Sequence, residues 1–159
     1  MKKVLRKIFK SIYLLVIVAS VTFCFTSCNK NNNLRIDENA SYTTKEEVAL
    51  YIYTYKKLPN NFITKKDAEK LGWNKSKNNL YEVTGGKSIG GDKFSNYEKL
   101  LPDVKGRTYY ECDIDYSGGA RNSKRIVYAD DFDENYGFIF YTGDHYKSFE
   151  KLYWLWQGI

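Results

Sequence analysis

Cysteine is scarce in this chain, with three in 159 residues at positions 24, 28 and 112. Long hydrophobic runs are lacking too, since the one apolar stretch, Ile12 to Phe25, falls short of the roughly 20 residues that a membrane-spanning helix needs. That stretch follows five cations (Lys2, Lys3, Arg6, Lys7, Lys10) with no acid among them, and it runs through Thr26 and Ser27 into Cys28. This is the layout of a secretory leader. With the leader removed the excess charge disappears: 20 Lys and Arg face 19 Asp and Glu, so the formal net charge falls from +6 to +1. A near-neutral domain excludes binding driven by net charge alone. Any electrostatic attraction has to come from a few cations gathered on one face. The cysteine count shrinks in the same way, because Cys24 leaves with the leader and Cys28 closes it. Cys112 then has no partner, which excludes a disulfide framework. Stability must come from an apolar core, for which 15 Tyr and 9 Phe supply the bulk. No internal repeat is present.

The leader has two possible ends. An ordinary signal peptidase cutting before Cys28 would meet Phe25 and Ser27 at the third and first positions before the cut, and Phe25 fits a small-residue site badly. The stretch FTSC resembles a bacterial lipoprotein box, in which Cys28 is lipid-modified and becomes the new N-terminus; a plain signal with an unmodified Cys28 is the alternative. Residues 1–28 are thus expected to be a signal peptide of the lipoprotein type. Residues 29–41, Asn-rich and aperiodic, are expected to be a flexible tether, and residues 42–159 a folded domain held outside the cell.

From Tyr42 a helix signal begins. Thr43 or Thr44 can cap, Glu46 and Glu47 suit the first turn, Val48, Tyr51, Ile52 and Tyr55 keep helical spacing, and the helix should stop near Leu58 and Pro59. A second start follows at FITKKDAEKLGW, with Thr64 as cap, Asp67 as its box partner and Gly72 as terminator. After Trp73 the pattern turns to glycine-rich turns and short alternating runs, with strands expected at 107–116, 121–129, 136–142 and 146–152. Helices first and strands second give an α+β fold, N-terminal helices packed against a C-terminal antiparallel β-sheet.

Within 109–116, Tyr110, Cys112, Ile114 and Tyr116 share one face and Glu111, Asp113 and Asp115 the other. The first face reads as core, with Cys112 a buried inert thiol. A three-residue hairpin loop, Ser117 to Gly119, would set residue 111 opposite 125 and residue 115 opposite 121, bringing Glu111 beside Arg125 and Arg121; a two-residue loop would flip the register. An ordinary cross-strand ion pair accounts for that much. The only histidine, His145, follows a Gly-Asp turn at the start of the last expected strand and can face the same surface. A carboxylate, an imidazole and two guanidinium groups can together move protons and hold a phosphoryl charge without a metal ion. The acidic hairpin tip, Asp130, Asp131, Asp133 and Glu134, fits no calcium loop and reads as a solvated turn.

Read together, YTYKKLPNNFITKKDAEKLGW, GKSIGGDKFSN, GRTYYECDIDY, RNSKRIVY and DHYKSF resemble, in order and over residues 46–153, the barnase-like family of secreted, guanyl-preferring bacterial ribonucleases. The resemblance implies the microbial ribonuclease fold and an extracellular, monomeric endoribonuclease. It would cut single-stranded RNA on the 3′ side of guanosine through a 2′,3′-cyclic phosphate, with no cofactor and no metal. It further implies Glu111 as general base, His145 as general acid, Arg121 and Arg125 on the phosphate, and Lys65 as the catalytic lysine. Tyr146 and Asp92 would support the site. Ser95, Asn96, Tyr97 and Glu98 would form the base-recognition loop, with Glu98 accepting from guanine N1 and N2. A small acidic barstar-like inhibitor is an implied partner besides RNA, and a membrane would be met only through lipid on Cys28.

Three features depart from the family. Tyr97 stands where an arginine is common and offers a ring for stacking instead. The hairpin between Tyr128 and His145 is longer, and WLWQGI extends the C-terminus, its Trp154 and Trp156 read as cover for an apolar patch. The rival reading is a catalytically inactive, surface-tethered module of the same fold that binds RNA or another anion through the Arg121 to Arg125 surface.

Overall fold

Thr44 opens the first helix, α1 (Lys45–Tyr55), by accepting from the Glu47 N–H while its hydroxyl donates to the Glu47 carboxylate at 2.7 Å. Of the two candidate caps, Thr44 is the one used. The helix ends earlier than Pro59 would require, because Lys56 turns left-handed (φ 57°) and its N–H closes on the Ile52 carbonyl. The computed structural model describes residues 35–131 and 138–152. Cys28, most of the expected tether, Asp133 and Glu134 of the hairpin tip, and Trp154 and Trp156 lie outside the described residues. Of the expected tether, the part from Ile36 onward is held against α1, since the Tyr51 and Tyr55 hydroxyls donate to the carbonyls of Glu38 (2.8 Å) and Ile36 (3.1 Å).

The second helix, α2 (Lys65–Lys70), begins as the sequence requires. The Thr64 oxygen accepts from the Asp67 N–H, the Thr64 hydroxyl donates to the Asp67 carboxylate at 2.8 Å, and Gly72 past the end takes φ 94°. A short third helix, α3 (Leu80–Thr84), was not foreseen; it buries Leu80 and Thr84 and stops at Gly85.

Among the described residues six strands follow one another across a single sheet in chain order: β1 (Phe62–Ile63), β2 (Ser88–Phe94), β3 (Tyr109–Asp113), β4 (Arg125–Ala129), β5 (Ile139–Thr142) and β6 (Glu150–Lys151). The α+β class is as expected, with antiparallel pairing from β2 to β6. The parallel β1–β2 pair adds an edge that the short sequence FI could not announce. Strand β2 escaped because the glycines of SIGGDKF break its alternation. Gly91, at φ 90°, is where the register to β3 shifts by one residue, and Gly90 lies where a Cβ would come within 2.7 Å of Cys112 Cβ and Phe62 Cδ1.

The register of β3 and β4 corrects the three-residue loop. Asp113 lies opposite Arg125 and Glu111 opposite Val127, a shift of two that keeps the faces but changes the partners. The reason is a wider connection. Asp115 turns left-handed (φ 55°), Gly118 and Gly119 also have positive φ, and the Asn122 amide bridges the Ile114 and Asp115 carbonyls. Asp115 consequently pairs with Lys124 at 2.8 Å rather than facing Arg121.

One face of the sheet carries the main core, where Val48, Ala49 and Ile52 of α1 pack on Cys112, Ile114, Ile126, Tyr128 and Ile139. Truncating one of the fully buried isoleucines would cost about 2–5 kcal/mol. The opposite face is divided. Tyr109, Val127, Ala129 and Phe140 form an apolar end closed by Leu101, while Glu111, Asp113, Arg125 and Thr142 form a polar end that is buried as well. That division positions the site described next.

Candidate active site

Glu111 lies on the polar end of the sheet, buried rather than standing on the surface. One carboxylate oxygen accepts from Lys65 Nζ at 2.5 Å and the other from the Tyr146 hydroxyl. Asp92, its cross-strand partner on β2, accepts from the Lys65 backbone N–H at 2.9 Å and thereby fixes the start of the helix that carries Lys65. Burial pushes the Glu111 carboxyl up, but the bonds from Lys65 and Tyr146 and the charges of Lys65 and Arg125 outweigh it. The group ends below its usual value and is held as a carboxylate. Tyr146 moves the other way, its hydroxyl kept protonated by burial and by donation to Glu111.

Two residues along β3, Asp113 holds the arginines. Arg121 grips it with two hydrogen bonds, Nε to Oδ2 at 2.6 Å and Nη2 to Oδ1 at 2.7 Å. Arg125 brings its Nε within 2.8 Å of Oδ1, out of line for a hydrogen bond but close enough for strong attraction, and its Nη1 donates to the carbonyls of Asn122 and Lys124. The guanidiniums are thus oriented from behind, and Arg121 lies over the Trp73 ring at 5.8 Å.

His145 is not on a strand, because β6 begins only at Glu150. It is exposed in the bend 143–148 with φ 61°, followed by Tyr146 at φ 71°. The bend is held by Asp144, which accepts from the Thr142 and Ser148 hydroxyls and from the N–H groups of Lys147 and Ser148. Those bonds draw its carboxyl down to about 2. The His145 N–H reaches the Ser123 carbonyl at 3.2 Å, tying the bend to the β3–β4 connection. Two positive-φ residues in succession are strained, and the Asp144 cluster is what over-determines them.

The loop 95–101 is equally fixed. Asn96, at φ 44°, donates to the Leu101 carbonyl and accepts from the Leu101 N–H, and the Leu101 side chain is buried on the sheet.

Two clefts meet between these parts. One, of about 400 Å³, is lined by Lys65, Glu111, Arg121, Arg125, His145 and Tyr146, together with Glu69, Trp73 and Lys75. The adjoining one, of about 670 Å³, shares Glu111, His145 and Tyr146 and adds Ser95, Asn96, Tyr97 and Glu98. Every site residue expected in the folded domain lines one of the two, except Asp92, which acts through Lys65. Asp113 and Asp144 were missed. Asp113 shares the parity of Glu111, and only the wrong register hid it; Asp144 carried the turn signal Gly-Asp but no sign of its four bonds. Among the described residues no three metal-ligating side chains converge. The shared wall sets an ionised carboxylate and an imidazole beside two guanidiniums and an ammonium, which suits proton transfer next to a bound anion.

Residues 45–153 match the family described as ribonuclease. A ribonuclease of Bacillus pumilus is 44% identical over 138 residues, 84% of this chain and 82% of its own length. Ribonucleases of Heyndrickxia coagulans and Bacillus intermedius are each 50% identical over 113 residues, 71% of this chain, covering 99% and 67% of those proteins.

Proposed function

The chain belongs to the ribonuclease family and is a barnase-like bacterial enzyme that cleaves RNA; from that premise we propose that it cuts single-stranded RNA on the 3′ side of guanosine without a metal ion. The observation that carries this reading is the buried Glu111 carboxylate, kept ionised by Lys65 and Tyr146 on the wall that it shares with His145.

In the first step Glu111 takes the proton from the ribose 2′-hydroxyl as that oxygen bonds to phosphorus. The bond from phosphorus to the 5′-oxygen breaks, and protonated His145 delivers a proton to the departing oxygen. The products are a 2′,3′-cyclic phosphate and a free 5′-hydroxyl. Water then opens the ring with the roles exchanged, His145 as base and Glu111 as acid. Arg121, Arg125 and Lys65 meet the charge that builds on the phosphoryl oxygens. Because the attacking hydroxyl is that of ribose, DNA binds without being cut. Guanine would lie in the larger cleft, its O6 accepting from backbone N–H groups of residues 95–97 and its N1 and N2 hydrogens donated to Glu98, which has no ion-pair partner among the described residues.

The test is cleavage of GpU and ApU by the purified protein in EDTA. GpU is expected to give cyclic guanosine phosphate, with ApU cut at least about tenfold more slowly, the value of roughly one well-formed pair of base contacts. No cleavage in EDTA that returns with a divalent cation would overturn metal independence, and equal rates would overturn the guanine preference.

The enzyme acts as a monomer outside the cell, anchored by lipid on Cys28, where the cleft's cations would also suit a small acidic inhibitor. Fractionating cells that express the protein and its Cys28→Ala variant checks the anchor. The wild type should sediment with membranes and the variant appear in the medium; identical fractions would dispose of the lipid.

A further inference from the structure

Away from the site, on the face of the sheet that packs α1, a further cleft of about 320 Å³ opens between Lys56, Gly91, Tyr110, Tyr128 and Asp130. Two of these residues are aromatic and neighbours. Tyr110 and Tyr128 lie opposite each other on β3 and β4 with their rings stacked, centroids 5.8 Å apart. Two more are charged. The Lys56 ammonium lies over the Tyr53 ring at 4.4 Å, and Asp130 accepts from the Thr108 N–H through Oδ1 at 3.0 Å while Oδ2 accepts from no described residue. A pair of rings beside an unused acceptor suits a flat side chain that carries one N–H and no acceptor, which is the description of an indole.

Leu152 fixes where such a side chain can come from. It is fully buried in the core formed with α1, and its N–H donates to the Ile139 carbonyl at 2.9 Å. Continued by one residue, the pairing of β5 and β6 sets Leu152, Ile139, Tyr128 and Tyr110 in one row across the sheet. Because β6 runs antiparallel to β5, the chain leaves Leu152 toward the end of the sheet where β4 finishes, beside Asp130. Strands lie about 4.8 Å apart, so Tyr128 is about 10 Å and Tyr110 about 14 Å from Leu152, and four extended residues cover about 13 Å. Four residues past Leu152 is Trp156, in the stretch WLWQGI that follows the span matching the ribonuclease family.

We propose that residues 153–159 cross the end of the sheet and seat the Trp156 indole in this cleft, against Tyr110 and Tyr128 and with its N–H on Asp130. The segment is a clasp over the α1 side of the sheet, private to this chain rather than part of the matched family span. Attachment at Leu152 favours this occupant over any other, since a side chain held within reach meets the cleft at an effective concentration of about millimolar. An anionic lipid surface would be repelled by the Asp130 carboxylate that the indole needs.

Urea unfolding of the whole protein, of a variant ending at Tyr153 and of Trp156→Ala tests the clasp. Both changes should raise the unfolding constant by at least about tenfold. Cleavage of RNA by the folded variants should change by no more than about twofold, because the cleft lies on the face opposite Glu111. Tyr110→Leu reads the contact itself: in that background Trp156→Ala should cost about 2- to 12-fold less than in the wild type, the value of one aromatic pair. In Tyr81→Leu, which replaces a half-exposed tyrosine outside the cleft, the cost should be unchanged. With Trp73→Phe and Trp154→Phe in place, the emission of Trp156 should be blue-shifted and shielded from acrylamide, and Tyr110→Leu should weaken both effects. An unfolding constant indifferent to the truncation, a Trp156→Ala cost that ignores Tyr110, or loss of RNA cleavage in folded Trp156→Ala overturns the clasp. So does a stabilisation that grows with protein concentration, which would put the segment on a second copy. Binding to phosphatidylglycerol vesicles that needs Trp156, with stability untouched by its loss, would overturn it in favour of a lipid surface.

Discussion

Glu111→Ala is expected to lower kcat/KM on RNA by about 10²- to 10⁴-fold, and His145→Ala by a similar factor, with the double variant little worse than either alone. The two residues act in one concerted proton relay, so removing either already forfeits most of what the pair supplies. Single-turnover cleavage of GpU would measure it, and retention of more than a tenth of the wild-type rate by either variant would mean that the relay has been misassigned. The pH profile gives an independent check. The base must be ionised, and the bonds from Lys65 and Tyr146 hold Glu111 below its usual range, so activity should persist into acid where an ordinary glutamate would have been protonated. Lys65→Ala removes the bond that acts most strongly against burial, so it should move the acid limb upward as well as slow the reaction.

The same shift bears on stability, and its sign is fixed by its direction. A carboxyl lowered in the folded state binds its proton less readily than in the unfolded chain. Its contribution is therefore complete above the ordinary glutamate value of the unfolded chain and is lost as the pH falls through the lower folded one. Unfolding curves taken across that window should lose part of their pH dependence in Glu111→Gln.

What the sequence made legible is local or is carried by motif. Thr64 and Asp67, three residues apart, define a helix start whatever surrounds it, and the alternation of YYECD separates core from site within one strand. What it concealed depends on the chain's path between elements. Gly90 and Gly91 interrupt the period of β2 because one must admit Cys112 and Phe62 and the other must carry the bulge that sets Asp92 against Glu111; the glycines that read as loop are what the site needs from a strand. The eleven residues from Ile114 to Lys124 close through the Asn122 amide and three positive-φ positions, which no hairpin rule counts as a three-residue turn. A slip of two kept every residue on its predicted face, so the site residues were found although their partners were not. The sequence sets His145 at the start of a strand expected from residue 146, whereas the chain bends there until Glu150, because the Asp144 cluster, made of hydroxyls and N–H groups scattered over seven residues, leaves no periodic trace.

The largest stability effect is expected at Asp113, which that slip left unnoticed. The carboxylate is 1% exposed and faces Arg121 and Arg125, the latter 3% exposed. Asp113→Ala would leave a buried guanidinium without a counter-charge, a loss of about 3–5 kcal/mol and thus a large share of the roughly 5–15 kcal/mol that holds a domain together. Asp115→Ala is the matched control, an aspartate on the same segment with an equally short 2.8 Å ion pair to Lys124, but with both partners about half exposed. That pair should be worth no more than about 1 kcal/mol, because water already solvates each charge and two long side chains must be ordered to meet. Urea unfolding of both variants separates the cases, and an Asp113→Ala loss no greater than the Asp115→Ala loss would show that the arginines find other partners. Asp113→Asn divides the effect further: it removes the charge and keeps the shape and one acceptor oxygen, but turns an NH2 donor toward one of the two Arg121 donors. If it restores folding but not kcat/KM, then Asp113 acts on catalysis by setting where Arg121 and Arg125 point, and the buried ion pair is a positioning device for the phosphate site rather than a source of net stability.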